Sequence, residues 1–307
     1  MNTVPTVEES VPAQAEPSVS RPRFLIPIVI VLVLAALVAG GLYAYTHMPL
    51  IALRGVHLIA IGPSTTALKV FGLTNLQDAS FPAEGSVSSF ATAGRVQVAV
   101  VGKSVVLAEG KEIKTLFTSE SDLAGVAVSP DGKSVAVAAH TQGADARLLS
   151  SWTVRLMDTT GKEITNTLGY APHFFTHKGK LYLVVSAPKG ITIVNVAEGT
   201  SSTDAVFDST STARTVTISP DGTYLAIPDA QPTSYSLYGV TSLSPLRFVP
   251  LWPLSSKLTS VAWHGGVLYG VSASEVPQIQ AFHTAGSAKG VTLFTLPEAS
   301  VSYRITP

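Results

Sequence analysis

The sequence predicts an all-β protein, a six-bladed β-propeller preceded by one transmembrane α-helix. Three observations predict it. An uncharged apolar run, FLIPIVIVLVLAALVAGGLYAY, occupies residues 24–45. After it, short β-branched runs broken by Gly, Pro and Ser continue to the end, with no sustained period of 3.6. The tetrapeptide Ser-Pro-Asp-Gly recurs between two such runs, at 129–132 and at 219–222.

The apolar run comes first in the chain. Twenty-two helical residues at 1.5 Å each span roughly 33 Å, enough for a bilayer core. The run is too long, and starts too far into the chain, for a cleaved signal peptide. Tyr43 and Tyr45 stand at its far end, where amphipathic rings favour the interface. Arg21 and Arg23 flank its start, whereas the other end offers only His47 before Arg54. The positive-inside rule then sets a cytoplasmic tail at 1–23, a membrane helix at 24–46 and an extracytoplasmic domain at 47–307. The tail holds four prolines, three glutamates and few large apolar residues, a composition that predicts disorder. Ala36, Gly40 and Ala44 share one helix face at small-xxx-small spacing, which permits a weak homodimer.

The exported part divides into repeats. GVAVSPDGKSVAVAA at 125–139 and TVTISPDGTYLAIPD at 215–229 are each a strand, a tight turn and a second strand. Proline presets φ in the turn, the aspartate bonds its own backbone, and the glycine accepts positive φ. Weaker copies keep only the glycine. Gly55, Gly94, Gly132, Gly179, Gly222 and Gly265 recur about every 43 residues, the length of a four-stranded propeller blade. Six such units predict six blades. VSYRI at 301–305 is left over and reads as a closing strand that pairs with the first unit.

The SPDG turn between alternating strands resembles the TolB-type, WD40-like propeller repeat. The resemblance covers residues 50–307 as a pattern, with the full SPDG in two of six units. It implies the propeller fold and an exported, bacterial setting. The TolB family has an additional α/β domain that this chain lacks, so that family's partners do not carry over.

Composition removes several classes of function. Lys plus Arg is 20 and Asp plus Glu is 20, a balance without the bulk positive charge that grips nucleic acid. There is no cysteine, hence no disulfide framework, thiolate metal site or cysteine nucleophile. Gly102-Lys103-Ser104 and Gly132-Lys133-Ser134 mimic the end of a P-loop. Gln97 and Ala127 stand where its first glycine belongs. No G-x-S-x-G or H-E-x-x-H occurs. His177 and His264 fall at hairpin turns, and Trp263 falls at a recurring bulky core position. The strands expected to line the channel, IALR, SSFAT, GVAVS, HFFT, TVTIS and SVAW, hold no carboxylate. No catalytic residue, metal ligand or cofactor is assigned.

Recognition is expected on the face that carries the second-to-third and fourth-to-first connections, where loops are longest and most polar. Asp145, Arg147, Asp229, Gln231, Trp252 and Glu275 are the candidate contacts. Trp252 is placed in a fourth-to-first connection. The expected function is a membrane-anchored scaffold or binding subunit of an envelope complex, with a protein partner. A metal-dependent propeller enzyme of lactonase or quinoprotein type and a solute or glycan receptor are the alternatives.

Overall fold

A computed structural model describes residues 36, 57–61, 69–72, 87–204, 215–229, 233–264, 266–282, 284, 290–296 and 302–306. The chain divides into two compact units, Met1–Met48 and Pro49–Pro307.

The second unit is built of antiparallel sheets. Its first strands are β1 (His57–Ile61) and β2 (Lys69–Gly72). Blade 1 follows, with β3 (Val87–Ala93), β4 (Val96–Val101), β5 (Ser104–Glu109) and β6 (Glu112–Thr118). Blade 2 holds β7 (Leu123–Val128), β8 (Ser134–His140), β9 (Trp152–Asp158) and β10 (Glu163–Leu168). Blade 3 holds β11 (Tyr170–His177), β12 (Lys180–Ala187), β13 (Gly190–Asn195) and β14 (Thr200–Asp204). Blade 4 holds β15 (Thr217–Ile218), β16 (Tyr224–Pro228), β17 (Tyr235–Leu243) and β18 (Leu246–Pro253). Blade 5 holds β19 (Leu258–His264), β20 (Val267–Ser272), β21 (Gln278–Phe282) and β22 (Val291–Thr295), and β23 (Ser302–Thr306) ends the described chain. In every blade each strand pairs with the next in sequence. The first strands of successive blades lie beside one another, and β23 lies beside β19.

The blade count corrects the expectation. Among the described residues five sheets have four strands; the remaining sheet has three, ordered β2-β1-β23. Of residues 62–86 the structure describes one four-residue strand, β2. That stretch is rich in Gly, Pro, Ser and Thr and has little of the apolar alternation that strands need. The unit around Gly55 therefore does not count as a sixth four-stranded blade. Strand β23 does pair antiparallel with β1, from His57 opposite Thr306 to Ile61 opposite Ser302. It holds the edge expected of the segment 51–54, which lies outside the described residues.

The expected membrane helix at 24–46 falls outside the described residues except at Ala36. Among the described residues no helix is long and apolar enough to cross a membrane. Of residues 24–45 only Ala36 is described, and the tail 1–23, Gly40 and Ala44 lie outside the described residues.

Burial follows strand position. Strands β13 and β20 are buried at every residue, and β8 at all but the last, because middle strands are covered on both faces by neighbouring blades. The outer strand β10, EITNTL, is buried nowhere along its length. Four apolar clusters fill the seams from blade 1 to blade 5, centred on Val98 and Val137, Leu156 and Leu183, Phe175 and Leu225, and Leu237 and Trp263. Trp263 is fully buried, as its recurring position predicts.

The SPDG turns show why their residues are needed. Ser219 Oγ donates to Asp221 Oδ1 at 2.6 Å and accepts the Thr223 and Tyr224 amides at 3.0 and 2.9 Å. Ser129 and Asp131 repeat the arrangement. Each turn then rests on the preceding blade. Pro220 O accepts the Thr176 amide at 2.9 Å, and His177 Nδ1 donates to Asp221 O at 3.0 Å. A Cβ on Gly222, whose φ is +74°, would stand 3.0 Å from the Phe175 ring. His177 itself ends β11 beside a turn in which Lys178 and Gly179 both have positive φ, the geometry of a two-residue hairpin.

Candidate interaction face

The second-to-third connections place three loops on one face: 141–151 in blade 2, 229–234 in blade 4 and 273–277 in blade 5. The first is the longest and the most elaborately built. Thr141 donates its amide to Ser151 O at 2.7 Å and closes the base. Asp145 then organises the tip. Its Oδ1 accepts the Arg147 amide at 3.0 Å and Arg147 Nε at 3.1 Å, and its Oδ2 accepts the guanidinium at 3.0 Å. The hydrogen bond from Arg147 holds the Asp145 carboxyl below the usual carboxylate range, and the same pair raises Arg147.

Beneath the loop, Trp152 Nε1 donates to Ala146 O at 2.8 Å. The Trp152 ring sits 5.0 Å from His140 on one side and 5.0 Å from Tyr170, the first residue of blade 3, on the other. The buried Trp152 indole, tilted against His140 and edge-on to Tyr170, thus fixes the backbone of an exposed polar loop. The loop presents an arginine 83% exposed and, beside it, Leu148 at 43%. Leu168, at the end of β10 on the same face, is 56% exposed, and Val276 in the blade 5 loop is 52% exposed. Sequence reasoning missed these three apolar residues. The pair Leu148-Leu149 at the end of an otherwise polar stretch was the available signal.

The other candidates are spread apart. Asp229 accepts Ser236 Oγ at 2.8 Å, and its amide bonds Ser234 O at 2.9 Å, so its carboxylate braces its own loop. Glu275 is exposed in the blade 5 loop, which Ala273 ties to Lys257 O at 2.8 Å. Gln231 lies outside the described residues. Trp252 is not in a connection. It belongs to β18, opposite Leu237, and packs half-buried against the core between blades 4 and 5. Strand β18 runs to Pro253 because a bulge lets its Pro-flanked end stay in register with β17. Among the described candidates only Asp145 and Arg147 are joined by an ion pair.

No cluster of three or more His, Asp or Glu side chains suited to a metal occurs among the described residues. His173 lies on the inner strand β11. Burial pushes its ring down to about 4, partly opposed by its hydrogen bond to the Ile218 carbonyl of blade 4, so it is a neutral link between two blades at pH 7. Lys103 and Lys133, of the two P-loop-like triplets, sit in hairpin turns; Lys103 Nζ donates to Glu120 O at 2.5 Å.

No protein-family model matches the chain, and no curated protein sequence matches it. Solved structures do match its fold. TolB from Acinetobacter baumannii aligns with a TM-score of 0.57 at 17% identity, over 82% of this chain and 66% of that one. The fold is that of a TolB-like, WD40-like β-propeller. A chain of a nidogen/laminin complex aligns at 0.53 and 16% identity, over 82% of this chain and 98% of that one. A chain of Kuenenia stuttgartiensis hydrazine synthase aligns at 0.50 and 15% identity, over 70% of each. At these identities the likeness establishes the fold and nothing finer.

Proposed function

We propose that this propeller is a non-enzymatic scaffold that binds a protein partner through the face carrying the 141–151 loop. One observation carries the reading. Asp145 and the Trp152 indole pre-order a loop that displays Arg147 and Leu148, so little entropy remains to be lost on binding. An arginine beside exposed apolar side chains is the composition of an interface centre. The nidogen/laminin neighbour supports a protein partner, and the hydrazine synthase neighbour shows that chains of this fold also occur in enzymes. The uncharged run at 24–45 and the flanking Arg21 and Arg23 support an exported position at a membrane surface, as part of an envelope complex.

Crosslinking in intact cells, followed by quantitative comparison of the wild-type chain with Arg147→Ala/Leu148→Ser, tests the proposal. A defined partner should be lost from the double variant while the protein keeps its melting temperature. An unchanged set of crosslinked proteins would remove the loop from the interface. Turnover of a lactone or sugar by the purified chain would replace the scaffold with an enzyme.

A further inference from the structure

His140 ends β8 at the base of the 141–151 loop. It pairs with Trp152 across the strands, and its half-buried ring lies 5.0 Å from the Trp152 ring at a 54° tilt. Trp152 in turn holds Ala146 O, and Ala146 stands between Asp145 and Arg147 in the chain. The imidazole therefore packs on the side chain that supports the loop. It also acts on Asp145: after the hydrogen bonds and charge of Arg147, and against burial, the charge of His140 helps hold that carboxyl down. Few titratable or charged groups surround it. The loop carries Asp145 and Arg147, and β11 brings Tyr170 on the far side of Trp152. Asp122 precedes β7, where its carbonyl accepts the His140 amide at 2.9 Å. The other four blades lack this arrangement. Their second strands end on Val101, Ala187, Pro228 and Ser272, none of them titratable.

Imidazole is the side chain whose charge ordinarily changes between about pH 5 and 8. A proton on His140 changes two balances. An imidazolium 5.0 Å from an indole is attracted to it, so the ring stays packed on Trp152 and the loop stays anchored. The same charge competes with the Arg147 guanidinium for the Asp145 carboxylate, which accepts Arg147 Nε at 3.1 Å and a terminal nitrogen at 3.0 Å. That pair is exposed, and exposed pairs are weakly held, so a second cation nearby suffices to loosen it. We propose that His140 is the proton sensor of this loop: the charge it gains as pH falls draws the Asp145 carboxylate away from Arg147 and frees the guanidinium for a partner's carboxylate. Capture through the loop then strengthens in mild acid. This consequence rests on the loop being the partner-binding element; the switch itself does not.

The full-length chain, labelled with 15N, is titrated from about pH 8 to pH 5 by NMR. The signals read are the His140 ring, Arg147 Nε–H and the Trp152 indole N–H, the last two assigned by Arg147→Lys and Trp152→Phe. Arg147 Nε–H and the Trp152 indole should shift with the midpoint of the His140 ring. The indoles of Trp252 and Trp263, in blades 4 and 5, should not follow that midpoint. His140→Gln, at an unchanged melting temperature, should leave Arg147 Nε–H flat over the range. Asp145→Asn, which removes the contested carboxylate, should do the same, and it decides the matter if His140→Gln fails to fold. A His140 ring that stays neutral throughout, or an Arg147 signal that stays flat while His140 titrates, would overturn the switch. So would an Arg147 shift that survives His140→Gln or Asp145→Asn. Crosslinking in cells held at about pH 7.5 and about pH 5.5 reads the consequence. The wild-type chain should capture more partner at the lower pH, and His140→Gln should not. A partner captured equally at both pH values removes the regulation and leaves the scaffold. No partner at either pH, with the NMR response intact, removes the scaffold and leaves the switch.

Discussion

Replacing Gly222 by alanine should destabilise the propeller far more than the same change at Gly94, although both glycines close inner hairpins with positive φ. At Gly94, φ is +60° and no atom lies within 4 Å of where a Cβ would stand, so the cost is the left-handed backbone alone. That cost is about 1–2 kcal/mol, reduced by some 0.4–1 kcal/mol because alanine also restricts the unfolded chain. At Gly222, φ is +74° and the Cβ would stand 3.0 Å from two carbons of the Phe175 ring and 3.3 Å from His177 Cβ. Phe175 is fully buried and stacked on Tyr182 with centroids 5.3 Å apart, so the ring has nowhere to retreat. Overpacking a rigid core adds about 1–3 kcal/mol. Gly222→Ala should therefore cost ~2–4 kcal/mol and Gly94→Ala ~1 kcal/mol, as read by urea unfolding of the two variants beside the wild type. Equal losses would refute the argument that the SPDG turn is held against the preceding blade, and would leave its glycine as a purely local turn residue.

Further outcomes follow from other contacts. Ser219→Ala should cost roughly 1–2 kcal/mol in the same assay, since it strands the Tyr224 amide, whereas the Thr223 amide keeps Asp221 Oδ1. His173 is held near a pKa of about 4 in the fold against 6.5 in the unfolded chain, so the unfolded chain takes up the proton first as pH falls. Its contribution is whole above pH 6.5 and is lost as pH falls through 4, on the order of 3 kcal/mol; His173→Gln should flatten that slope, and an unchanged slope would clear His173 of it. Removing residues 300–307 deletes β23 and should cost on the order of 5 kcal/mol, one bond of about 1 kcal/mol for each of five paired positions, seen as a lower melting temperature. Arg147→Ala should leave the melting temperature unchanged, because an exposed pair contributes little, and should still weaken partner capture.

The local units of the fold were legible because their signals are local. A strand of alternating apolar residues, a proline that presets φ, an aspartate that bonds its own turn and a glycine at positive φ all lie within fifteen residues, at 125–139 and at 215–229. Strands β8 and β16, at Ser134–His140 and Tyr224–Pro228, are the second strands of those two units. The pairing of the C-terminal strand with β1 was legible as well, because a lone strand left after the repeats has unpaired edges to satisfy. The polar loop 140–149 and its Asp145 and Arg147 stood out by composition alone.

Other features depend on atoms far apart in the chain. Whether the region from 49 to 86 forms a full blade is decided by how many strands find partners, and glycine spacing does not report that number. Trp252 reads as a loop residue between two prolines, yet a bulge in β18 keeps it in the sheet and turns it toward blade 5. The support of the Arg147 loop by Trp152, and of Trp152 by Tyr170 of the next blade, joins residues from two sheets. Sequence determined the strands, the turns and the repeat, because backbone preference and side-chain alternation act within a few residues. Only the tertiary structure decided which blades are complete, which face of each strand meets a neighbour and which loops are braced, because those depend on packing between residues distant in sequence.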